Sequence, residues 1–322
     1  MTNMITTNSN GVAMKLPLDL TKIDALVFQG GGVKGIAYVG SLQHLRVRNF
    51  NLDHITNFAG TSAGSQVAAL LACGYNEHEL YDILYRLNMK DFKDGSFGFL
   101  RNTWRLFTKF GYYKGKFIEK FIDDLIEKKL GKRKITFKDL YEERGVTLRI
   151  TGTCLTTGTL DYFDKDLTPD MPICKAVHIS SCIPVFYSAV KYDGKYYVDG
   201  GVLRNLPIMA FPEKNVLFFE LKGKSSSADD LTKQNSEVVV KHDIKNLFYF
   251  VIALLKICTK YCNKLAVEKG LTVLPNVNVV TIDTGDVKGT DFNLSEDSKR
   301  YLVKQGWNAI KQYVDYGEIT EI

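Results

Sequence analysis

The chain has 322 residues, 45% of them apolar and 24% charged, with a formal net charge of +6. That is an ordinary soluble composition, long enough for one large domain or two small ones. The basic residues are spread along the chain, which argues against a dedicated nucleic-acid binder and is compatible with transient contact with an anionic lipid surface.

Residues 1–20 read as a loose polar arm without a hydrophobic leader. Ile23 to Phe28 has the pattern of a buried strand, and Gly35 to Val47 that of a helix with Ile36, Val39, Leu42 and Leu45 on one stripe. Ile55 to Ala59 predicts a second short strand. It runs through Gly60-Thr61-Ser62-Ala63-Gly64 into an apolar helix carrying Val67, Leu70 and Leu71, and Glu77 to Leu87 continues helically. Residues 94–116 mix aromatics with Arg and Lys. They fit a lid or membrane-facing patch, and the plainer expectation is a loop capping the core. Lys116 to Leu130 predicts an amphipathic helix, with Phe117, Phe121 and Leu125 on one stripe and Ile118, Ile122 and Ile126 beside it.

Val146 to Cys154 alternates like a strand, and Thr157-Gly158 turns it into Thr159 to Phe163. Ala189 to Tyr192 and Lys195 to Val198 flank Asp193-Gly194, a strong hairpin signal. The hairpin delivers Asp199-Gly200-Gly201. Val216 to Leu221 predicts another buried strand, 222–237 a Ser- and Asp-rich mobile loop, and about 241–267 a helix. A strand over Val277 to Ile282 and a helix over Ser295 to Tyr313 close the chain. Strands alternating with helices predict an α/β layered fold.

The six cysteines, Cys73, Cys154, Cys174, Cys182, Cys258 and Cys262, show no CxxC pair and no His at metal-site spacing. They are expected as buried free thiols in a reducing compartment, and neither metal nor cofactor is expected. The longest apolar run, Leu247 to Leu255, is too short to span a bilayer, and Leu247 to Cys258 reads as a core helix. The expectation is a cytoplasmic protein without a transmembrane helix, peripheral where it meets membranes.

Two segments carry chemistry. In Gly60-x-Ser62-x-Gly64 a tight strand-to-helix turn lifts the Ser62 hydroxyl clear of the sheet, and the helix points free N–H groups at the same spot. Ser62 is therefore a candidate nucleophile; its bland reading is a helix cap. Gly30-Gly31-Gly32-Val33-Lys34-Gly35 exposes backbone N–H groups between a strand and a helix, a cradle for a phosphate or for a transient oxyanion. A dinucleotide site needs an acidic residue at the end of the second strand. Asp53 precedes that strand, and in this loop Lys34 comes before Gly35, with no Gly-Lys pair followed by Ser or Thr as a Walker loop requires. For the base, His242 sits beside a polar loop, His178 looks like a core or helix residue, and Asp199-Gly200-Gly201 by itself reads as a turn.

Together the three elements resemble the patatin-like phospholipase family, which carries a glycine-rich loop with a basic residue before its last glycine, GxSxG, then Asp-Gly-Gly or Asp-Gly-Ala. Ile179 to Phe186 and Gly201 to Pro207 resemble the segments around the family's aspartate. The resemblance covers about Leu26 to Pro212; Gln29 departs from it, because relatives often carry an acidic residue there. It implies a three-layer α/β/α fold with a central mostly parallel sheet: an arm over 1–20, a catalytic domain over 21–215 and a C-terminal α/β extension over 216–322 packed on it. It implies a lipid acyl hydrolase acting on phospholipids or lysophospholipids, with Ser62 as nucleophile and Asp199 as its direct base. Gly30, Gly31, Gly32 and Val33 would form the oxyanion hole, supported by Lys34, Gly35, Gly60, Gly64, Gly200 and Gly201. The alternatives are a general carboxylesterase with a Ser-Asp-His triad using His242, and a nucleotide-binding protein using the 30–35 loop.

Overall fold

The computed structural model describes residues 5–7, 13–15, 18–94, 99–223, 250, 251, 253, 254, 257–259, 261, 262 and 276–316. The antiparallel pair β1 (Ile5–Thr7) and β2 (Ala13–Lys15) precedes β3 (Ala25–Phe28), α1 (Ala37–Val47), β4 (Asn57–Gly60), α2 (Ala63–Ala72) and α3 (Glu77–Arg86). Next come α4 (Phe99–Lys109), β5 (Gly111–Tyr113), α5 (Lys116–Leu130), α6 (Phe137–Arg144), β6 (Thr147–Cys154), β7 (Thr159–Phe163) and α7 (Ile173–Ser180). The chain continues through β8 (Val185–Tyr187), β9 (Val190–Tyr192), β10 (Lys195–Asp199), β11 (Val216–Lys222), β12 (Val277–Asp283) and α8 (Glu296–Tyr316).

Local chemistry sets several boundaries. The Asn76 side chain accepts from the His78 and Glu79 N–H groups and Glu79 accepts from the Asn76 N–H, which starts α3. Thr136 and Asp139 start α6 the same way. Asp193 and Gly194 both have positive φ, 44° and 74°, as a tight hairpin turn requires.

The sheet is α/β and mostly parallel, as expected. β12, β11, β3, β4 and β6 pair in parallel in that order, while β7 and β10 pair antiparallel with β6, and β9 with β10. The registers on β6 locate the site. Ile150 pairs with Gly60 of β4 and with Phe163 of β7, so β4 and β7 lie on opposite edges of β6. Thr153 pairs with Leu160 of β7 and with Val198 of β10, so β10 also lies opposite β7. Strands β4 and β10 therefore share one edge of β6 and run toward each other. One ends at Gly60 and the other at Asp199, opposite Gly152, two residues further along β6.

Both faces of the sheet are buried. Leu26, Phe28, Phe58, Leu217 and Phe219 join the larger core beneath α1, α2 and α8. Ala25, Val27, Ala59, Val216 and Phe218 join a smaller core closed by Ile208, Ala210 and Phe211. Each large side chain so buried contributes about 1.5–3 kcal/mol. Helices α1 and α8 cross at backbone contact: a Cβ on Gly40 would strike the Val303 carbonyl and one on Gly306 the Ala37 carbonyl. The Ser41 hydroxyl donates to the Gly306 carbonyl there, at 2.9 Å.

Some expectations change. The aromatic-basic stretch holds α4 and β5 rather than a loop. Cys73, Cys154, Cys174 and Cys182 are buried, but Cys258 is exposed and Cys262 half-buried. Of the segment expected as a core helix over 247–258, the described residues Phe250, Leu254 and Ile257 are exposed, as is Tyr261 beyond it, so these side chains do not lie inside a core. Residues 224–249, including most of the Ser- and Asp-rich segment and His242, lie outside the described residues. Among the described residues no helix is long and apolar enough to cross a membrane.

Candidate active site

Ser62 follows β4 and opens α2 with φ 54° and ψ −124°, a backbone conformation that costs a non-glycine residue strain. The surroundings hold it there. The Ser62 N–H donates to Ser180 Oγ at 2.9 Å, and the Thr61 and Thr151 hydroxyls share a hydrogen bond of 2.7 Å beneath the turn. The flanking glycines are needed for close approach: a Cβ on Gly60 would overlap the Gly64 carbonyl, and one on Gly64 the Phe28 carbonyl. Ser62 Oγ does not cap the helix. It donates instead to Asp199 Oδ2 at 2.6 Å.

The abutting ends of β4 and β10 explain that contact between residues 137 positions apart. Ser62 and Asp199 are only 7% and 5% exposed. Burial pushes the Asp199 carboxyl up to about 7, against the opposing hydrogen bonds from Ser62 and the Gly201 N–H. The Gly201 N–H donates to Asp199 Oδ1 at 2.7 Å, so each carboxyl oxygen has one donor. Gly200 packs against Thr151, where a Cβ would not fit.

The glycine loop lies alongside. A Cβ on Gly30 would strike Asn205 Oδ1 and come within 3.0 Å of Ser62 Cβ. Asn205 clamps the loop from both sides: its Nδ2 donates to the Gly30 carbonyl at 2.9 Å, and its own carbonyl accepts from the Gly30 N–H at 3.4 Å. The Val33 N–H donates to the Gly289 carbonyl at 3.0 Å. Gly30 and Val33 thus have their amides engaged within the protein, whereas the Gly31 and Gly32 N–H groups have no hydrogen-bond acceptor among the described residues. Gly35 lets the loop approach Ala63 at the start of α2, and Lys34 points toward Gly223. Gln29 Oε1 accepts from the Leu221 N–H at 2.6 Å, an acceptor role that a carboxylate at this position would also fill.

An apolar cavity opens from Ser62. Leu84, Leu87, Met89, Phe92, Ile118, Ile183, Tyr187 and Phe292 line it, and Gln66 and Ser181 supply polar atoms beside Ser62. No histidine among the described residues hydrogen-bonds Ser62 or Asp199. His178 is paired with Glu119 at 2.7 Å, and His44 packs edge-on against Trp307. Sequence reasoning missed Ser180, Asn205, Gly289 and Phe292. For Asn205 a signal existed, its place six residues after Asp199 in a segment already singled out. Gly289 and Phe292 come from a stretch without a recognisable pattern.

A family model described as patatin-like phospholipase matches residues 26–212. An uncharacterized protein of Bacillus subtilis, YqhO, is 32% identical over 87% of this chain and 94% of its own length. A probable lipid hydrolase, 463L of Invertebrate iridescent virus 6, is 31% identical over 57% of this chain and 61% of its own. The lysophospholipase NTE1 of Debaryomyces hansenii is 26% identical over 65% of this chain, which spans 12% of that much longer protein. Among solved structures, VipD from Legionella pneumophila superposes with a TM-score of 0.59 at 19% identity, over 97% of this chain and 69% of that one.

Proposed function

The chain belongs to the patatin-like phospholipase family, and we propose that it hydrolyses fatty-acyl esters of phospholipids or lysophospholipids through an acyl-enzyme on Ser62. The 2.6 Å hydrogen bond from Ser62 Oγ to a buried Asp199 carries this reading. Asp199 Oδ2 takes the hydroxyl proton as Oγ attacks the ester carbonyl. The oxygen that becomes negative faces the open Gly31 and Gly32 N–H groups, and each such donor contributes about a hundred- to thousandfold in rate. Collapse breaks the bond to the lipid alcohol, which leaves with the proton from Asp199. A water then repeats the sequence: Asp199 takes its proton, the acyl–Ser62 bond breaks, the fatty acid departs and Ser62 regains its proton. The chemistry uses a two-residue relay.

The apolar cavity beside Ser62 supports an acyl chain as the group bound, since its walls offer dispersion contacts and few polar partners. The lysophospholipase and lipid hydrolase names of two relatives point the same way. A panel of phospholipids and lysophospholipids read by mass spectrometry tests the proposal. Wild type should release free fatty acid from at least one glycerophospholipid class and Ser62→Ala from none. Equal release by both proteins would refute it.

A further inference from the structure

We propose that α4 and the turn after it form a docking surface for an anionic lipid bilayer, seating the protein beside the cavity that receives the acyl chain. The inference rests on the lipid-ester reading above. Trp104 and Phe107, each 70% exposed, are the most exposed large apolar side chains among the described residues, and Phe110, just past the end of α4, is 59% exposed. They stand three positions apart, so the first two share one side of α4 and the third extends that side past its end. Phe110 meets the exposed Tyr196 ring edge-on at 6.3 Å, joining the helix to the β9–β10 hairpin in one aromatic patch. Four exposed rings next to each other cost a protein in water and suit the headgroup level of a membrane.

Charge selects the occupant. Residues 95–118 contain Arg101, Arg105, Lys109, Lys114 and Lys116 and no Asp or Glu. Lys109, Lys114 and Lys116 are exposed, and Lys191 lies over the Tyr196 ring at 5.8 Å. The acidic residue just before the stretch, Asp94, is occupied by the Gly115 and Phe117 N–H groups at 2.8 and 3.0 Å. Aromatic rings interleaved with cations, with no acidic residue within 95–118, complement an anionic headgroup layer. The patch is also tied to the site. Arg105 donates to the Tyr112 carbonyl at 3.1 Å, holding α4 against β5. β5 pairs with β8, and Tyr187 of β8 lines the cavity that reaches Ser62.

The test uses the intact protein and vesicles of phosphatidylcholine, alone or with about a third of the lipid as phosphatidylserine. Wild type should sediment with the mixed vesicles, more weakly with the neutral ones, and Trp104 emission should shift to shorter wavelength on binding. Trp104→Ser combined with Phe107→Ser should lower the partition coefficient by about tenfold or more while leaving hydrolysis of a water-soluble short-chain ester unchanged. Trp104→Phe should keep the partitioning. Failure of wild type to bind the mixed vesicles, or equal binding by the double variant, overturns the surface even where the soluble ester is cleaved. Lack of ester cleavage by a protein that still binds vesicles in this pattern removes the catalytic proposal and leaves the surface standing. A dimer that the double variant converts to monomer, without vesicle binding, assigns the patch to self-association instead and overturns the proposal.

Discussion

A carboxylate with an ordinary pKa is a weak acceptor for a serine proton, because the transfer lies far uphill. Burial raises Asp199 to about 7 and narrows that gap. In the proposed mechanism Asp199 must be ionised to accept the proton, so kcat/KM should rise with pH through about 7 and level off above it. Replacing Asp199 by Asn should remove that limb and lower the rate by about a hundred- to ten-thousandfold. The same shift has a consequence for stability. The folded-state pKa lies above the ordinary aspartate value of 3.8, so the native state holds this proton more tightly than the unfolded chain. That contribution is complete below about pH 4 and is lost as pH rises through about 7, where the buried charge begins to weigh against folding. Asp199→Asn should therefore melt at a higher temperature than wild type at about pH 8, and the gap should close toward about pH 4. At this scale the sequence was half legible. Ser62 announces itself through the glycines that its turn requires. Asp199 alone reads as a turn, because the serine that gives it meaning stands 137 residues earlier, and no local pattern spans that distance.

The glycine loop is an element whose shape depends on a neighbour. Asn205 holds Gly30 through its side-chain amide and its carbonyl, and Gly30 precedes the two open amides. Asn205→Ala leaves Ser62 and Asp199 in place but frees the loop. It should lower kcat about tenfold or more, with KM little changed, as expected for a group that positions donors for the transition state. Titrating the active sites alongside the kinetics on a soluble ester separates that from a general loss of fold: the first lowers kcat per titrated site, whereas the second lowers the number of sites and leaves kcat per site alone. Strands were the most legible elements: β3, β4, β6, β10 and the Asp193-Gly194 hairpin follow the alternation and turn residues of the sequence. Three helices were less so. In α7 every residue except Lys175 is buried, so the apolar residues show no 3.6-residue period. Trp104 and Phe107 of α4 face outward, against the usual sense of amphipathicity. α6 did carry a readable start in Thr136 and Asp139.

At the scale of the whole molecule, the family match ends at residue 212, yet the sheet continues. β11 pairs with β3 in register from Val216↔Ala25 to Phe219↔Phe28, and β12 pairs with β11 outside it. The last third also supplies the Gly289 carbonyl that takes the Val33 amide, the Phe292 wall of the cavity, and α8 against α1. The helix α8 was expected from the pattern over Ser295 to Tyr313, but Gly289 and Phe292 were not legible, because each is a single residue whose partners lie far away in sequence. The α1–α8 crossing admits no side chain at Gly306. Gly306→Val should cost roughly 2 kcal/mol or more, read as a lower denaturation midpoint.

The central claim is that Ser62 is the nucleophile and that its reactivity comes from Asp199. Fluorophosphonate labelling of the folded protein, read by intact and peptide mass, tests it most directly. One adduct should form on the peptide containing Ser62, more slowly in Asp199→Asn and not at all in Ser62→Ala. Folded wild type that resists the reagent, or a Ser62→Ala protein that still takes it up, would contradict the account.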